Sequence, residues 1–366
     1  MKKKILFIIW SYTYGGGAEA LLTMIVNNLN PQKYDISIIE YHHADIKVEK
    51  VNDNIHILPP IERVNTSDGS KKGYQLRYTE LLIDKYIRGD YDLYISFNYQ
   101  IPTFLLPKDT KNIAWIHGDV YDLDEAGKEN DKYLQDKAFD KVKKIVAISD
   151  NTMQSLEDLF PQHRHKMVKI YNGIDIDKVY SKSMENTDIV LKKPAIVCIG
   201  RLDENKNPER MLHVFSLLHQ INSKVHLYYL GKGELEKLIK DKVEKMGLIN
   251  NVHLLGYQDN PFPIVRQSNM LCMMSKTEGF GLVLLEALAI GKPIVVTKVG
   301  VAEMAVNNGK CGRVIITDED AVEAIQYFLN ADRDEIKKQC NQSVQRFELK
   351  HYIKQIEELI DNVIDS

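Results

Sequence analysis

Residues 278–286 read Glu278-Gly-Phe-Gly-Leu-Val-Leu-Leu-Glu286 and continue as Ala-Leu-Ala-Ile-Gly-Lys-Pro-Ile-Val-Val to Val296. An apolar, strand-like segment at 269–274 comes just before Gly279 and Gly281, and the Leu- and Ala-rich run after them predicts a helix opening near Gly281. A helix start leaves backbone N–H groups without intrahelical partners, which suits an anion. Glycine at 279 and 281 lets a phosphate approach the main chain, because no Cβ stands in the way. The spacing from Glu278 to Glu286 is about two helical turns, so both carboxylates are expected on the side of the helix mouth. Carboxylates accept hydrogen bonds from sugar and ribose hydroxyls. The stretch therefore offers a phosphate seat flanked by two hydroxyl-binding groups.

On either side of this stretch, apolar runs of strand length alternate with helical patterns. In the first half strands are predicted at 5–10, 34–41, 93–97, 113–116, 144–149 and 167–171, with helices at 18–29, 74–87, 131–139 and 151–160. A polar stretch at 181–193 follows. The second half has strands at 195–199, 225–230, 252–255, 270–274 and 294–297, with helices at 207–221, 234–246, 281–289 and 320–329. Such alternation predicts an α/β protein with parallel sheets and crossover helices. Two series of this kind predict two Rossmann-like domains, 1–175 and 176–345, with a cleft between them. The last segment, 346–366, carries Tyr352, Ile353, Ile356, Leu359, Ile360 and Ile364 at helical spacing and is predicted to be a C-terminal crossing helix that packs back.

The 366 residues suit two cores better than one. Apolar content of 44% and charged content of 27% are ordinary for a globular chain. The formal charge of −3 argues against bulk electrostatic binding of nucleic acid. Cys198, Cys272, Cys311 and Cys340 are far apart in sequence and form no Cys-x-x-Cys pair, so a cytoplasmic, reducing setting is expected. Met-Lys-Lys-Lys leads into an apolar run of about six residues, too short for a signal core or a membrane span, and reads as a first strand.

Three loops after predicted strands carry charge or glycine. Residues 11–20, Ser-Tyr-Thr-Tyr-Gly-Gly-Gly-Ala-Glu-Ala, place Gly16 and Gly17 between strand and helix, as a phosphate approach or as a tight turn. His117 ends the strand Ile-Ala-Trp-Ile-His and precedes Gly118, where an imidazole can hydrogen-bond a sugar. Gly200-Arg201-Leu-Asp-Glu-Asn-Lys206 offers a planar fork and a mobile point charge, both suited to diphosphate oxygens. Asp175-Ile-Asp177 reads as Asp-x-Asp, but similar acidic clusters at 90, 122 and 318 make it uninformative about metal.

The string at 278–296 resembles the Glu-x7-Glu signature of retaining glycosyltransferases of family 4. Gly200-Arg201-x4-Lys206 resembles that family's Gly-Arg-x4-Lys element, residues 16–19 its Gly-Gly-x-Glu loop, and Asn172-Gly-Ile-Asp its Asn-Gly-Val-Asp turn. The resemblance implies a GT-B fold that transfers a hexosyl group from a nucleoside-diphosphate sugar, UDP-linked by preference. The implied acceptor is a cell-surface polysaccharide, a lipid-linked oligosaccharide or a glycolipid. It implies a catalytic set of Arg201, Lys206, Glu278 and His117, the histidine as a contact near the donor sugar. Gly16, Gly17, Tyr257, Gly279, Phe280, Gly281, Leu282 and Glu286 are implied to join Arg201, Lys206 and Glu278 in binding substrate. No cofactor and no metal are expected, the cationic pair replacing a metal's charge.

Basic and aromatic residues at 71–89, with Lys137, Lys141, Lys143 and Lys144, raise the expectation of peripheral contact with an anionic membrane at the cytoplasmic face. Two alternatives keep the fold. One is a UDP-sugar epimerase, which would consume donor without an acceptor; the other is a non-catalytic partner subunit, which would lose the charged site residues.

Overall fold

The computed structural model describes residues 1–14, 16–46, 50–63 and 80–366. The chain divides into two compact units, one of residues 1–172 and 350–366, the other of residues 173–349.

The first unit contains β1 (Lys3–Ile9), β2 (Tyr34–Glu40), β3 (His42–His43), β4 (Ile55–Ile57), β5 (Glu62–Arg63), β6 (Leu93–Phe97), β7 (Asn112–Ile116), β8 (Lys144–Ala147) and β9 (Met167–Lys169). Seven of these form one parallel sheet in the order β4-β2-β1-β6-β7-β8-β9, while β3 and β5 pair separately. Residues 5–9 of β1 are buried, as is all of β7, because crossover helices cover both faces of a parallel sheet. The terminal helix Leu349–Asp365 supplies residues 350–365 of this unit. Its apolar side, including Ile356 and Ile360 at zero exposure, is buried, and Asp361 holds Lys33 and the Tyr34 hydroxyl at its rim.

The second unit contains β10 (Ala195–Ile199), β11 (His226–Leu230), β12 (Val252–Gly256), β13 (Met270–Met273), β14 (Ile294–Thr297) and β15 (Gly312–Ile315). They form a parallel sheet in the order β12-β11-β10-β13-β14-β15. In both units the strand order reverses beside the first strand, at β1/β6 and at β10/β13. Ligands of such sheets bind beyond the carboxyl ends at that reversal.

The expected strands all occur, with bounds shifted by a residue or two. Strands β3, β4, β5 and β15 and the helices Ile101–Phe104, Phe262–Gln267, Ala302–Ala305 and Arg333–Val344 lack an expected counterpart. Residues 176–183, partly assigned to a polar connection, form the helix Ile176–Ser183, whose cap is Asp175 accepting from the Lys178 N–H at 2.9 Å. Of the helix expected at 74–87, residues 74–79 lie outside the described residues; Glu80–Leu82 is one α-turn and Ile83–Ile87 a π-turn. No described helix is long and apolar enough to cross a membrane.

Candidate active site

In the second unit the loop after β10 and the loop after β13 meet at the reversal point. Asp203 turns the first loop, its carboxylate accepting from the Lys206 N–H at 2.9 Å, while Asn207 takes a left-handed φ of 51° ahead of the helix Pro208–Ile221. Asn205 clamps the second loop: its amide donates to the Thr277 carbonyl at 3.1 Å and its carbonyl oxygen accepts from the Thr277 N–H at 3.1 Å. The clamp brings Lys206 Nζ to 2.5 Å from Glu278 Oε1. Ser275 Oγ donates to the same carboxylate oxygen at 2.6 Å, and the Ser275 carbonyl accepts from Thr297 Oγ1 of β14 at 2.6 Å. Glu278 is thus held from two sides, with its side chain only 12% exposed.

Gly281 follows with φ +86°, a conformation that strains any residue with a Cβ, and it opens the helix Leu282–Ala289 without a side-chain cap. The first turn of that helix contains no acidic side chain, so no carboxylate of the turn opposes an anion at its N–H groups. Phe280 is buried, its ring edge-on to Phe347 at 6.2 Å and its carbonyl accepting from the Val301 N–H at 2.8 Å. It can therefore meet a substrate only through its backbone. Leu282 and Gly279 are half-buried. Glu286, two turns along and half-buried, has no hydrogen-bonding or ionic side-chain partner among the described residues. Its carboxyl is pushed up to about 7 by burial, with Lys182 pulling the other way.

Arg201 is largely exposed, with Nε 3.1 Å from Asp203 Oδ2. It lines a cavity of about 410 Å³ with Gly200, Gly231, Lys232 and the exposed Tyr257. Lys232 carries no role in the sequence reading, although Gly231-Lys232-Gly233 directly after β11 is a readable signal. The tertiary reason for those glycines is close packing: a Cβ on Gly231 would sit 1.9 Å from the Gly200 carbonyl oxygen, and one on Gly233 2.3 Å from that of Leu202. The Leu202 N–H donates to the Lys232 carbonyl at 3.0 Å, so the two loops form one platform. Ser275 and Asn205 are likewise positioning residues that the sequence reading did not single out.

Gly16, Gly17 and His117 belong to the first unit. Gly16 caps the helix Gly17–Asn28, and a Cβ on it would meet Glu19 Oε2 at 2.7 Å, whereas Gly17 has nothing within 4 Å of that position. The loop before them is pinned by Glu40, which accepts from the Tyr12 and Thr13 N–H groups at 2.7 and 3.2 Å. His117 follows β7 with its ring 4.0 Å from that of Phe97, and burial pushes its imidazole down to about 3. Its Nε2 is buried without a hydrogen-bond partner among the described residues, an orphan that a ligand hydroxyl would satisfy. Asn98 and Gln100, after β6, hold φ values of +150° and +58° without being glycine, strain of the sort found around binding sites. The lysines of the expected membrane patch are in part engaged elsewhere: Lys141 donates to the Phe104 and Leu106 carbonyls, and Lys137 pairs with Asp140.

Residues 15–178 match the family model described as Glycosyltransferase Family 4, and residues 180–347 match Glycosyl transferases group 1. This chain belongs to the family 4 glycosyltransferases. Its fold is GT-B: the glycosyltransferase superimposes on HepE of Anabaena, crystallised with UDP, with a TM-score of 0.76 at 19% identity over 99% of this chain and 100% of that one. Among curated relatives, this glycosyltransferase is 29% identical to an N-acetylgalactosaminyltransferase of Campylobacter jejuni acting on N-acetylgalactosamine-N,N'-diacetylbacillosaminyl-diphospho-undecaprenol, over 45% of this chain and 44% of that protein. It is also 29% identical to an uncharacterized glycosyltransferase of Methanocaldococcus jannaschii, over 54% of this chain and 52% of that protein. The matched stretches thus span about half the length of these two relatives.

Proposed function

We propose that this family 4 glycosyltransferase moves a hexosyl residue, with retention of anomeric configuration, from a UDP-linked sugar to a saccharide or lipid-linked acceptor. The observation that carries the reading is the meeting of Lys206 and Glu278 at 2.5 Å beside the uncapped helix start at Gly281, at the reversal point of the second sheet. A cation, free helix N–H groups and an acceptor carboxylate within one loop cluster fit the three parts of such a donor: diphosphate, its charge, and sugar hydroxyls.

In this reading the bond from the anomeric carbon to the diphosphate oxygen breaks while the acceptor oxygen bonds to the same face. The acceptor's proton passes to the departing phosphate. Lys206, Arg201 and the helix start take up the charge that grows on the leaving group, which is where electrostatic stabilisation counts most. These groups supply the positive charge, so no resident metal is invoked. Glu286 accepts from the ribose and Glu278 from the donor sugar, while His117, Gly16 and Gly17 are carried as further substrate contacts on the family resemblance alone. HepE, crystallised with UDP, supports the choice of nucleotide, and the Campylobacter relative supports a polyprenyl-diphosphate-linked acceptor. In this reading the enzyme works at the cytoplasmic face of a membrane, where a nucleotide-sugar donor and a lipid-linked acceptor would meet.

The test is a thermal-shift screen of nucleoside diphosphates and their sugars, followed by product analysis with polyprenyl-diphosphate-linked acceptors. The expected outcome is stabilisation by UDP, an α-linked product from an α-linked donor, and a rate unchanged by EDTA. An inverted product, or donor consumed without any acceptor, would overturn the reading; the latter would indicate an epimerase.

A further inference from the structure

The opposite edge of the second sheet holds a second concentration of positive charge. Lys193 lies just ahead of β10 and Lys292 just ahead of β14, so both sit at the amino ends of strands whose carboxyl ends carry the site above. Arg266 from the helix Phe262–Gln267 and Arg333 and Lys337 from the helix Arg333–Val344 complete the lining of a cavity of about 230 Å³. Asp334 is the one carboxylate among the lining residues.

None of the five cations forms an ion pair among the described residues. Lys292 Nζ donates to the Ser268 carbonyl at 2.7 Å and Arg266 Nε to the Ser183 carbonyl at 2.9 Å, both neutral acceptors. Elsewhere in the same unit cations find carboxylates: Lys242 reaches Glu209 at 2.6 Å and Arg210 reaches Asp318 at 2.7 Å. Arg333 and Lys337 stand four residues apart on one helix, a like-charge spacing that disfavours the helix. Lys292 sits deepest, half-buried, and its ammonium is pushed down to about 8 by burial and then by Lys193, Arg333 and Arg266. Five cations against one carboxylate at a concave surface suit an anion.

We propose that this pocket is a second anion site, distinct from the sugar-nucleotide site, which takes a small phosphate-bearing anion of the size of inorganic phosphate or pyrophosphate. The volume is below the roughly 300 Å³ at which pockets for drug-sized ligands begin, so the pocket suits a small anion better than a whole sugar nucleotide. Arg333 offers a fork to two phosphate oxygens, and the lysines supply point charges from the other walls. An occupant would bridge segments that meet the pocket from before β10, before β14 and from two helices, and so stabilise the second unit.

The experiment measures melting temperature and calorimetric affinity of the full chain with sodium phosphate and sodium pyrophosphate, against sodium chloride of equal ionic strength. Lys206→Ala weakens the sugar-nucleotide site, and the double variant Arg333→Gln/Lys337→Gln weakens this one. The expected result is phosphate- or pyrophosphate-specific stabilisation that survives Lys206→Ala and loses about tenfold in affinity in the double variant. Lys193→Gln, at an exposed position ahead of a strand, gives the same readout should the double variant fold poorly. Stabilisation matched by chloride, abolished by Lys206→Ala or untouched by the cavity variants would overturn the proposal. So would binding of these variants' parent to phosphatidylglycerol vesicles, sensitive to the double substitution, with no response to either free anion.

Discussion

Lys206 Nζ stands 2.5 Å from Glu278 Oε1, and the pair closes the loop after β10 onto the loop after β13. The same ammonium is the group proposed to meet the leaving diphosphate, so Glu278 both orients it and shares it. Replacing Lys206 by Ala removes transition-state charge stabilisation and leaves Glu278, at 12% exposure, with Ser275 as its remaining partner. Turnover is expected to fall about 10²- to 10³-fold, with the far-ultraviolet circular dichroism spectrum retained. Initial rates of nucleoside-diphosphate release measure this; a fall of only a few-fold would remove Lys206 from the catalytic set.

Glu286 carries a pH signature. Its carboxyl ionises near 7 in the folded unit, against 4.5 for the unperturbed group, so ionisation disfavours the fold. The associated stability is complete below about 4.5 and is lost as pH climbs through about 7. Glu286→Gln is therefore expected to melt with wild type near pH 4.5 and above it near pH 8, in the absence of nucleotide. With Glu286 in its proposed role as acceptor for ribose hydroxyls, which bind the charged form, UDP affinity should rise through the same window in wild type and stay flat in the variant. Melting curves and titrations from about pH 4.5 to 8.5 decide it, and parallel curves would refute the assignment.

Two glycines should respond in opposite ways. Gly231→Ala drives a Cβ to 1.9 Å from the Gly200 carbonyl at a φ of +148°, which no rotamer change relieves. A loss of about 2 kcal/mol or more is expected, with weakened nucleotide binding. Gly17→Ala meets nothing within 4 Å and lies in the first turn of a helix, so the melting temperature should hold or rise. If a phosphate or the acceptor approaches that backbone, turnover nonetheless drops. Unchanged turnover in Gly17→Ala would confine its role to the turn.

His117 should behave as a neutral group. Burial holds its pKa near 3, below the 6.5 of an unperturbed imidazole, so the stability it contributes is present above about 6.5 and lost as pH falls towards 3. The ring proton resonances of His117 should stay constant between about pH 8 and pH 5, and His117→Gln should flatten the acid limb of the stability curve. A titration midpoint near 6.5 for this ring would contradict its burial.

The parallel strands were legible because burial on both faces makes them continuous apolar runs, as in residues 5–9 and 195–199. Strand β15 was not, since Gly312-Arg-Val-Ile is short and half polar, and its pairing with β14 is a tertiary fact. The buried positions of the helix Arg333–Val344, Ile336, Cys340, Ser343 and Val344, keep helical spacing, but only two of them are aliphatic, which leaves a weak apolar stripe among charges. Arg201, Lys206, Glu278 and Glu286 are site candidates from residue type, spacing and the family resemblance together. Asn205 and Lys232 act through Thr277 and Leu202, remote in sequence, and Ser275 ties Glu278 to Thr297 of the next strand, links that local pattern does not encode.

What the order of residues determined alone was local: where strands and helices form, where glycine must replace a side chain, and which ionisable groups follow which strand. These follow from periodicity, capping and φ preferences over a few neighbours. Only the folded chain decided that Lys206 meets Glu278, that Glu286 and His117 lose enough water to shift their protons, and that five cations gather behind the second sheet. Such properties depend on distances and solvent exclusion between segments remote in sequence, and only packing sets them.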